Sequence, residues 1–310
     1  MQENGGQALS LTAAGWPEAN LFETGETRSH LVTACNKLAF PMCALSINGQ
    51  ATERYAAPAL DKGLDILELL TAESDGLTSS EIGRRLGRTV GEIFRMLVRL
   101  EQRGYVCQNP PGDRYYLTLK LFEVAHRYYP LHRLVSEANP LLQRVAHKTG
   151  QSCHLAMMSG GEVVVVAQAD PPGNMGFAVR LGARIDLLHT ASGNIILAFQ
   201  EDETRARSLD AWQSQSGKKI PPDLEDHLER IQRRGFEELP SRGIKGIIDI
   251  GFPILNQHGE AIAAMTVPFL PYVDGRVSPA KVKEALRTAS SHLSSAIGGK
   301  SLSAGERKQR

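Results

Sequence analysis

From Pro58 onward, apolar residues recur at helical spacing. Leu60, Leu64, Leu67 and Leu70 in ALDKGLDILELLTA mark an amphipathic helix, which Asp75-Gly76 ends in a turn. Two shorter helices are predicted next, over about residues 78–86 and 89–103. Each opens on Thr-x-x-Glu, Thr78 with Glu81 and Thr89 with Glu92, the spacing at which hydroxyl and carboxylate satisfy each other's backbone amides. Val90, Ile93, Leu97 and Leu100 fall on the inner face of the third helix, and Gly104 is its left-handed stop. The period then drops to two. YVCQ and RYYL read as strands around the turn-forming NPPGD, so the order is helix, helix, helix, hairpin.

LKLFEVAHRYYP predicts a helix ending before Pro130, and LHRLVSEANPLLQRVAHKTG another that Pro140 kinks or restarts. Beyond Gly150 the texture changes. SCHLAMMSGGEVVVVAQAD reads as two strands around Gly160-Gly161, and IIDIGFPILNQHGEAIAAMTVPFL as two more around a turn containing Gly259. Helices are expected near residues 192–200, 202–213 and 221–234, with a last one over 278–297. Hairpins at both ends with helices between predict an antiparallel sheet layered with helices, an α+β domain. Residues 1–57 lack sustained periodicity and read as a disordered extension, as do residues 299–310 at the other end. The divisions expected between them are a unit of three helices and a hairpin at 58–118, a linker helix at 119–135 and the α+β domain at 136–298.

Composition narrows the function classes. With 35 Lys and Arg against 34 Asp and Glu the net charge is +1, so any nucleic-acid signal must be local. The longest apolar runs, residues 163–167 and 261–267, fall far short of the roughly 20 residues of a membrane span. The N-terminal MQENGGQALSLTAAGW has no Lys or Arg before its weakly apolar part, which argues for a cytoplasmic protein without a secretory signal. The four cysteines, Cys35, Cys43, Cys107 and Cys153, are scattered and suggest no disulfide framework. Cys153, His154 and His147 could ligate a metal only with a fourth group nearby, and an inward strand position explains Cys153 as well. No G-x-S-x-G elbow, P-loop, G-x-G-x-x-G after a strand or H-E-x-x-H is present. No catalytic residue, cofactor or metal is therefore expected, and a small-molecule enzyme acting without a recognisable motif is the lesser alternative.

The local signal lies in the capped pair. Two short helices joined at Leu86-Gly87-Arg88 form a helix-turn-helix, whose second helix enters the major groove with its N-terminal residues leading. Between residues 84 and 103, Arg84, Arg85, Arg88, Arg95, Arg99 and Arg103 face only Glu92 and Glu101. Arginine reaches phosphates or grips guanine with two hydrogen bonds, Gly91 lets the backbone approach DNA, and the hairpin with Arg114 is the wing. The same arginines on an ordinary solvated helix pair, or a winged helix that binds protein, are the alternatives to double-stranded DNA. In the second half, RLGARIDLLHTASGNIILAF runs a polar loop into a helix whose first amides, around Ala191, Ser192 and Gly193, favour a carboxylate. On the strand after Gly246, Ile248, Ile250, Phe252 and Ile254 share one face and Ile247, Asp249, Gly251 and Pro253 the other, leaving room there for a small molecule. Thr266 could equally bond across the sheet, Asp249 could sit in a salt bridge, and His189 reads as a solvated loop residue.

ALDKGLDILELL, the helix-turn-helix, LEQRGYV, LLHTASGNIILAF and GIIDIGFPILNQHGEAIAAMTVPF resemble the IclR family of bacterial transcriptional regulators, over about residues 58–297. The resemblance implies a winged helix-turn-helix, a linker helix and a GAF-like effector-binding domain, working as a homodimer or a dimer of dimers on a palindromic or pseudo-palindromic operator. The DNA-contacting set expected from the capped pair, the wing and this resemblance together is Ser79, Arg84, Arg88, Thr89, Gly91, Glu92, Phe94, Arg95, Arg99 and Arg114. The effector set, for a small organic acid, is Leu155, Gly182, Ala191, Ser192, Ser241, Asp249, Thr266 and Pro268. Arg95 matches the family's arginine, whereas Gly91-Glu92 stand where members commonly carry a Ser/Thr pair.

Overall fold

The computed structural model describes residues 57–109, 112–173, 176–272, 275 and 277–301. The readings of residues 1–56 and 302–310 as disordered lie outside them. The first unit comprises α1 (Pro58–Leu70), β1 (Leu77–Thr78), α2 (Ser79–Leu86), α3 (Val90–Gln102), β2 (Val106–Gln108) and β3 (Arg114–Leu117). Both capping boxes form, Thr78 with Glu81 and Thr89 with Glu92. Each such cap contributes about 1 kcal/mol. Gly87, at φ +63°, turns the chain between the helices in the left-handed region, where any residue with a side chain would be strained. Leu67, Leu70, Leu77, Ile82, Ile93, Leu97, Val106 and Tyr115 fill the core.

Three positions depart from the periodicity. Leu60 and Leu64 are surface residues, and the buried stripe of α1 is Ile66, Leu67 and Leu70. Val90, expected inside, is 47% exposed. It is the first residue of α3, one turn ahead of Ile93, where the helix projects past the core. Strand β1, two residues long and too short to show a period, pairs with β3 to give the sheet order β1-β3-β2.

After α4 (Lys120–His126), a single helix α5 spans Tyr129–Thr149. Pro140 lies inside it without ending it. The proline is exposed, so the amide it lacks is missing on the solvent side, while Ala138, Leu141 and Leu142 hold the inner face together. The division drawn at 135/136 falls within this helix, whose Leu134 and Ala138 join the same core.

The larger unit is an antiparallel six-stranded sheet in the order β6-β5-β4-β9-β8-β7. Its strands are β4 (Cys153–Ser159), β5 (Glu162–Ala169), β6 (Arg184–Asp186), β7 (Glu237–Pro240), β8 (Ile248–Leu255) and β9 (Ala261–Phe269). Helices α6 (Ala191–Ala198), α7 (Asp202–Ser216) and α8 (Leu224–Arg234) lie between β6 and β7, and α9 (Pro279–Ala296) closes the domain. Helices α5 and α9 cover one face of the sheet, over Leu155, Ile250, Phe252 and Met265. Helix α6 lies on the other, with Val163, Val165, Ile195 and Leu228 in the second core. Strand β5 carries one extra residue: Leu155 opposes Ala167 but Ala156 opposes Val165, leaving Val166 as a bulge. Ala167 and Ala169 accordingly serve the first core, and Val163 and Val165 the second. No described helix is long and apolar enough to cross a membrane.

Candidate DNA interface and effector site

On α3, Gly91, Arg95 and Arg99 follow one another at four-residue spacing and share an outward stripe. Arg84, Arg88 and Arg95 are exposed and form no ion pair among the described residues. Thr89 is exposed beside them and Phe94 is 52% exposed, while Ser79 is half-buried as the first residue of α2. Arg99 donates to Gln102 Oε1 at 2.9 Å. A Cβ on Gly91 would meet nothing within 4 Å, so the stripe is open at its leading end.

Two of the expected residues have partners inside the fold. Glu92 accepts from Lys62 Nζ at 2.6 Å and from Thr89, and these bonds, Lys62 first, hold its carboxyl down to about 2. Arg114 lies at the root of the wing, donating to the Gly76 carbonyl at 2.8 Å and sitting 3.3 Å from Glu81 Oε2. The Glu81 carboxyl is itself lowered, chiefly by the Thr78 amide. Both pairs tie the helix-turn-helix to its neighbours.

The effector candidates divide by face. Ser192 Oγ lies 2.9 Å from Thr266 Oγ1 and 3.5 Å from His154 Nε2, in a buried polar cluster at the first turn of α6. Thr190 caps that turn: its Oγ1 accepts from the Gly193 amide and its carbonyl from Asn194. The amides of Ala191 and Ser192 are the remaining helix-start donors, and both residues are 1% exposed. Asp186 secures the preceding loop by accepting from the Leu188 and His189 amides, with His189 Nδ1 at 3.0 Å, so His189 is held rather than free in solvent. Asp249 opposes Pro268 in the register and bonds Ser241; burial raises its carboxyl to about 6 against that bond. Leu155, by contrast, faces the opposite core with α5 and α9, and Gly182 sits in an exposed turn bonded to Val165. These two do not join the others.

The register shows what periodicity did not. Gln168, His154, Thr266, Gly251 and Glu237 oppose one another in succession across β5, β4, β9, β8 and β7. They form one row on the face that α6 covers. A Cβ on Gly251 would come within 2.7 Å of Ile195 Cδ1 and Thr266 Oγ1, so this glycine lets α6 settle onto the sheet. Beyond it, Glu237 is 1% exposed, with Oε2 2.6 Å from His227 Nε2, and Asn194 Nδ2 is 3.4 Å from the same nitrogen. His154, considered only as a metal ligand, points to α6 while Cys153 packs in the opposite core. Among the described residues, no three His, Cys, Asp or Glu side chains could hold a metal ion. Burial keeps the His154 imidazole neutral, bringing it down to about 4. A lone polar residue at an inward position of an apolar strand was the available sign of His154 and Gln168. Their alignment could not be read from either strand alone.

The IclR helix-turn-helix domain matches residues 59–110, and the C-terminal domain of bacterial IclR transcriptional regulators matches residues 126–295. The HTH-type transcriptional regulator BhcR of Paracoccus denitrificans is 29% identical over 226 residues, covering 71% of this chain and 81% of its own. The Thermotoga maritima IclR crystal structure aligns with 77% of this chain and 98% of its own, at 24% identity and a TM-score of 0.61. An IclR homologue from Microbacterium hydrocarbonoxydans, crystallised with 4-hydroxybenzoate, aligns over 77% of this chain and 98% of its own, at 23% identity and a TM-score of 0.63. With both of its folded units accounted for by models of regulators rather than enzymes, the chain belongs to the IclR family of bacterial transcriptional regulators.

Proposed function

We propose that this protein binds double-stranded operator DNA sequence-specifically as a homodimer or dimer of dimers, and that a small organic acid controls that binding. Arg84, Arg88, Thr89, Gly91, Arg95 and Arg99 are the leading contacts, with Phe94 beside them. Two copies related by a two-fold axis present identical α3 helices, which calls for a palindromic or pseudo-palindromic site. An apolar surface suited to a second copy is available on α4, which has no buried residue and exposes Leu121, Phe122 and Val124. DNA binding of this kind places the protein in the bacterial cytoplasm.

One observation carries the effector reading: α6 begins inside the domain, with the Ala191 and Ser192 amides buried beside Ser192 Oγ, Thr266 and His154. Buried helix-start amides suit an anion, and a carboxylate satisfies them. Asp249, bonded to Ser241, borders the site and accepts a proton more readily than an exposed carboxylate does. The Microbacterium relative's 4-hydroxybenzoate belongs to the same chemical class. The acid is proposed to be the substrate of the catabolic pathway under control.

Fluorescence anisotropy of labelled duplexes from the upstream region of the protein's own gene, with a panel of small organic acids, tests this reading. The expected result is a specific complex whose affinity at least one acid changes about 5–150-fold, with reciprocal change in acid affinity when operator is added. Equal affinity for all duplexes removes the operator; acids that neither bind nor alter the complex remove the effector.

A further inference from the structure

The proposed carboxylate site leaves two hydrogen-bonding groups unaccounted for a short distance away. His154 is 4% exposed and its Nδ1 has no hydrogen-bond partner among the described residues; nor has the buried Oε1 of Gln168. His154 and Gln168 are register partners on adjacent strands, a placement that holds Cβ atoms about 5 Å apart on one face. The orientation of the Gln168 amide is fixed, because its Nε2 donates to Asp170 Oδ1 at 3.2 Å and the oxygen is turned away. The tautomer of His154 follows from its neighbours when Thr266 donates to Ser192 Oγ and Ser192 donates to His154 Nε2. Nδ1 then carries the hydrogen. With that tautomer, two register partners carry a buried donor and a buried acceptor, each an expensive group to leave unsatisfied.

A hydroxyl group meets both needs, accepting from His154 Nδ1–H and donating to Gln168 Oε1. A carbonyl or second carboxylate satisfies the imidazole but meets the glutamine oxygen with another acceptor. An ammonium satisfies the glutamine but faces the N–H with another donor. Resting on the carboxylate reading of the α6 start, we propose that His154 and Gln168 are specificity-determining residues that select a hydroxylated carboxylic acid over its deoxy counterpart. The carboxylate lies at the Ala191 and Ser192 amides and the hydroxyl between His154 and Gln168.

Isothermal titration of the full-length protein with matched pairs tests the assignment: lactate with propionate, 3-hydroxybutyrate with butyrate, and each monohydroxybenzoate with benzoate. For at least one pair the hydroxy acid is expected to bind about tenfold or more tightly, because the deoxy acid leaves both groups unpaired. In Gln168→Met, on a half-buried strand position, and in His154→Gln, that preference should fall toward unity. Thermal unfolding establishes that each variant is folded. If both members of every bound pair have equal affinity, as when a retained water fills the hydroxyl's place, the specificity proposal fails and the acid reading stands. A preference undiminished in a folded Gln168→Met variant also overturns it. If no acid binds, the carboxylate reading fails and takes this proposal with it.

Discussion

The two halves of the molecule place their chemistry in opposite ways. In the winged helix, an apolar core of Ile82, Ile93 and Leu97 is sealed and the candidate DNA contacts stand outside it. In the sheet domain the candidate contacts are buried: Ser192, Thr266 and His154 are between 1% and 4% exposed, in a layer where aliphatic side chains are the rule. Surface chemistry can change at small expense to the fold, whereas buried polar groups carry fold and function together. Substitutions in the second half are thus expected to disturb stability as well as response.

The largest effect should come from backbone packing. A Cβ on Gly193 would lie 1.9 Å from the Leu187 carbonyl oxygen, so Gly193→Ala should destabilise the sheet domain by about 3 kcal/mol or more, read by urea unfolding. A midpoint near wild type would show that α6 can shift, and that its buried start is less fixed than argued.

Acidity separates His154 from Asp249. His154 stays neutral in the fold to about pH 4 but takes its proton near 6.5 when unfolded, so its stabilisation is complete above 6.5 and lost as pH falls toward 4. The Asp249 carboxyl, raised to about 6 from 3.8, works the other way: its burial costs stability above pH 6, and the cost disappears as pH falls to 3.8. Relative to wild type, His154→Gln should gain about 3 kcal/mol between pH 7 and pH 4, whereas Asp249→Asn should begin ahead and lose a similar margin. Parallel pH profiles for the two variants would break the argument. Glu92, held at about 2 by Lys62, adds a later loss in the winged helix as pH falls from 4.5 toward 2.

Smaller changes should stay local. Arg95→Ala should weaken operator binding by about 1–3 kcal/mol without moving the unfolding of the sheet domain, while Arg84→Ala mainly lowers the salt dependence by about one unit of slope. Unaltered operator affinity would take Arg95 off the reading surface. Thr266→Val removes the 2.9 Å bond to Ser192 and should cost about 1 kcal/mol of stability together with effector affinity. If it abolishes DNA binding in the absence of acid, its role is architectural. Least of all, Gly91→Ala has open space around it and should raise stability by at most about 1 kcal/mol.

The contrast also governs how much could be read from the chain. Thr78, Glu81, Thr89 and Glu92 announce their helices because a cap is a matter of spacing within four residues. The α+β layering followed equally from local alternation. Pro140 does not restart the helix, because α5 runs on through it with the proline exposed and Ala138, Leu141 and Leu142 buried on the inner face, and which side a residue faces is a tertiary property. Leu155 and Gly182 entered the effector set through the family resemblance, and the strand's alternation sends Leu155 to the far core. His154 and Gln168 are separated by 14 residues and by a turn, and only the bulged pairing of β4 with β5 aligns them.

That bulge has a consequence for any mutational scan of β5. Val163, Val165, Ala167 and Ala169 are all buried, so sensitivity along the strand should rise and fall with a plain two-residue rhythm. The kind of defect should nevertheless change halfway. Enlarging Ala167 or Ala169 strains the layer beneath α5 and α9 and should appear as lost protein, whereas altering Val163 or Val165 loosens the bed of α6 and should appear as altered induction by the effector. Deleting Val166 should leave both classes in place, because Val165 and Ala167 would then be neighbours in a regular ladder, still opposite Ala156 and Leu155 and still on opposite faces; inserting a second residue beside Val166 is the change that would deliver Val163 and Val165 to the wrong layer.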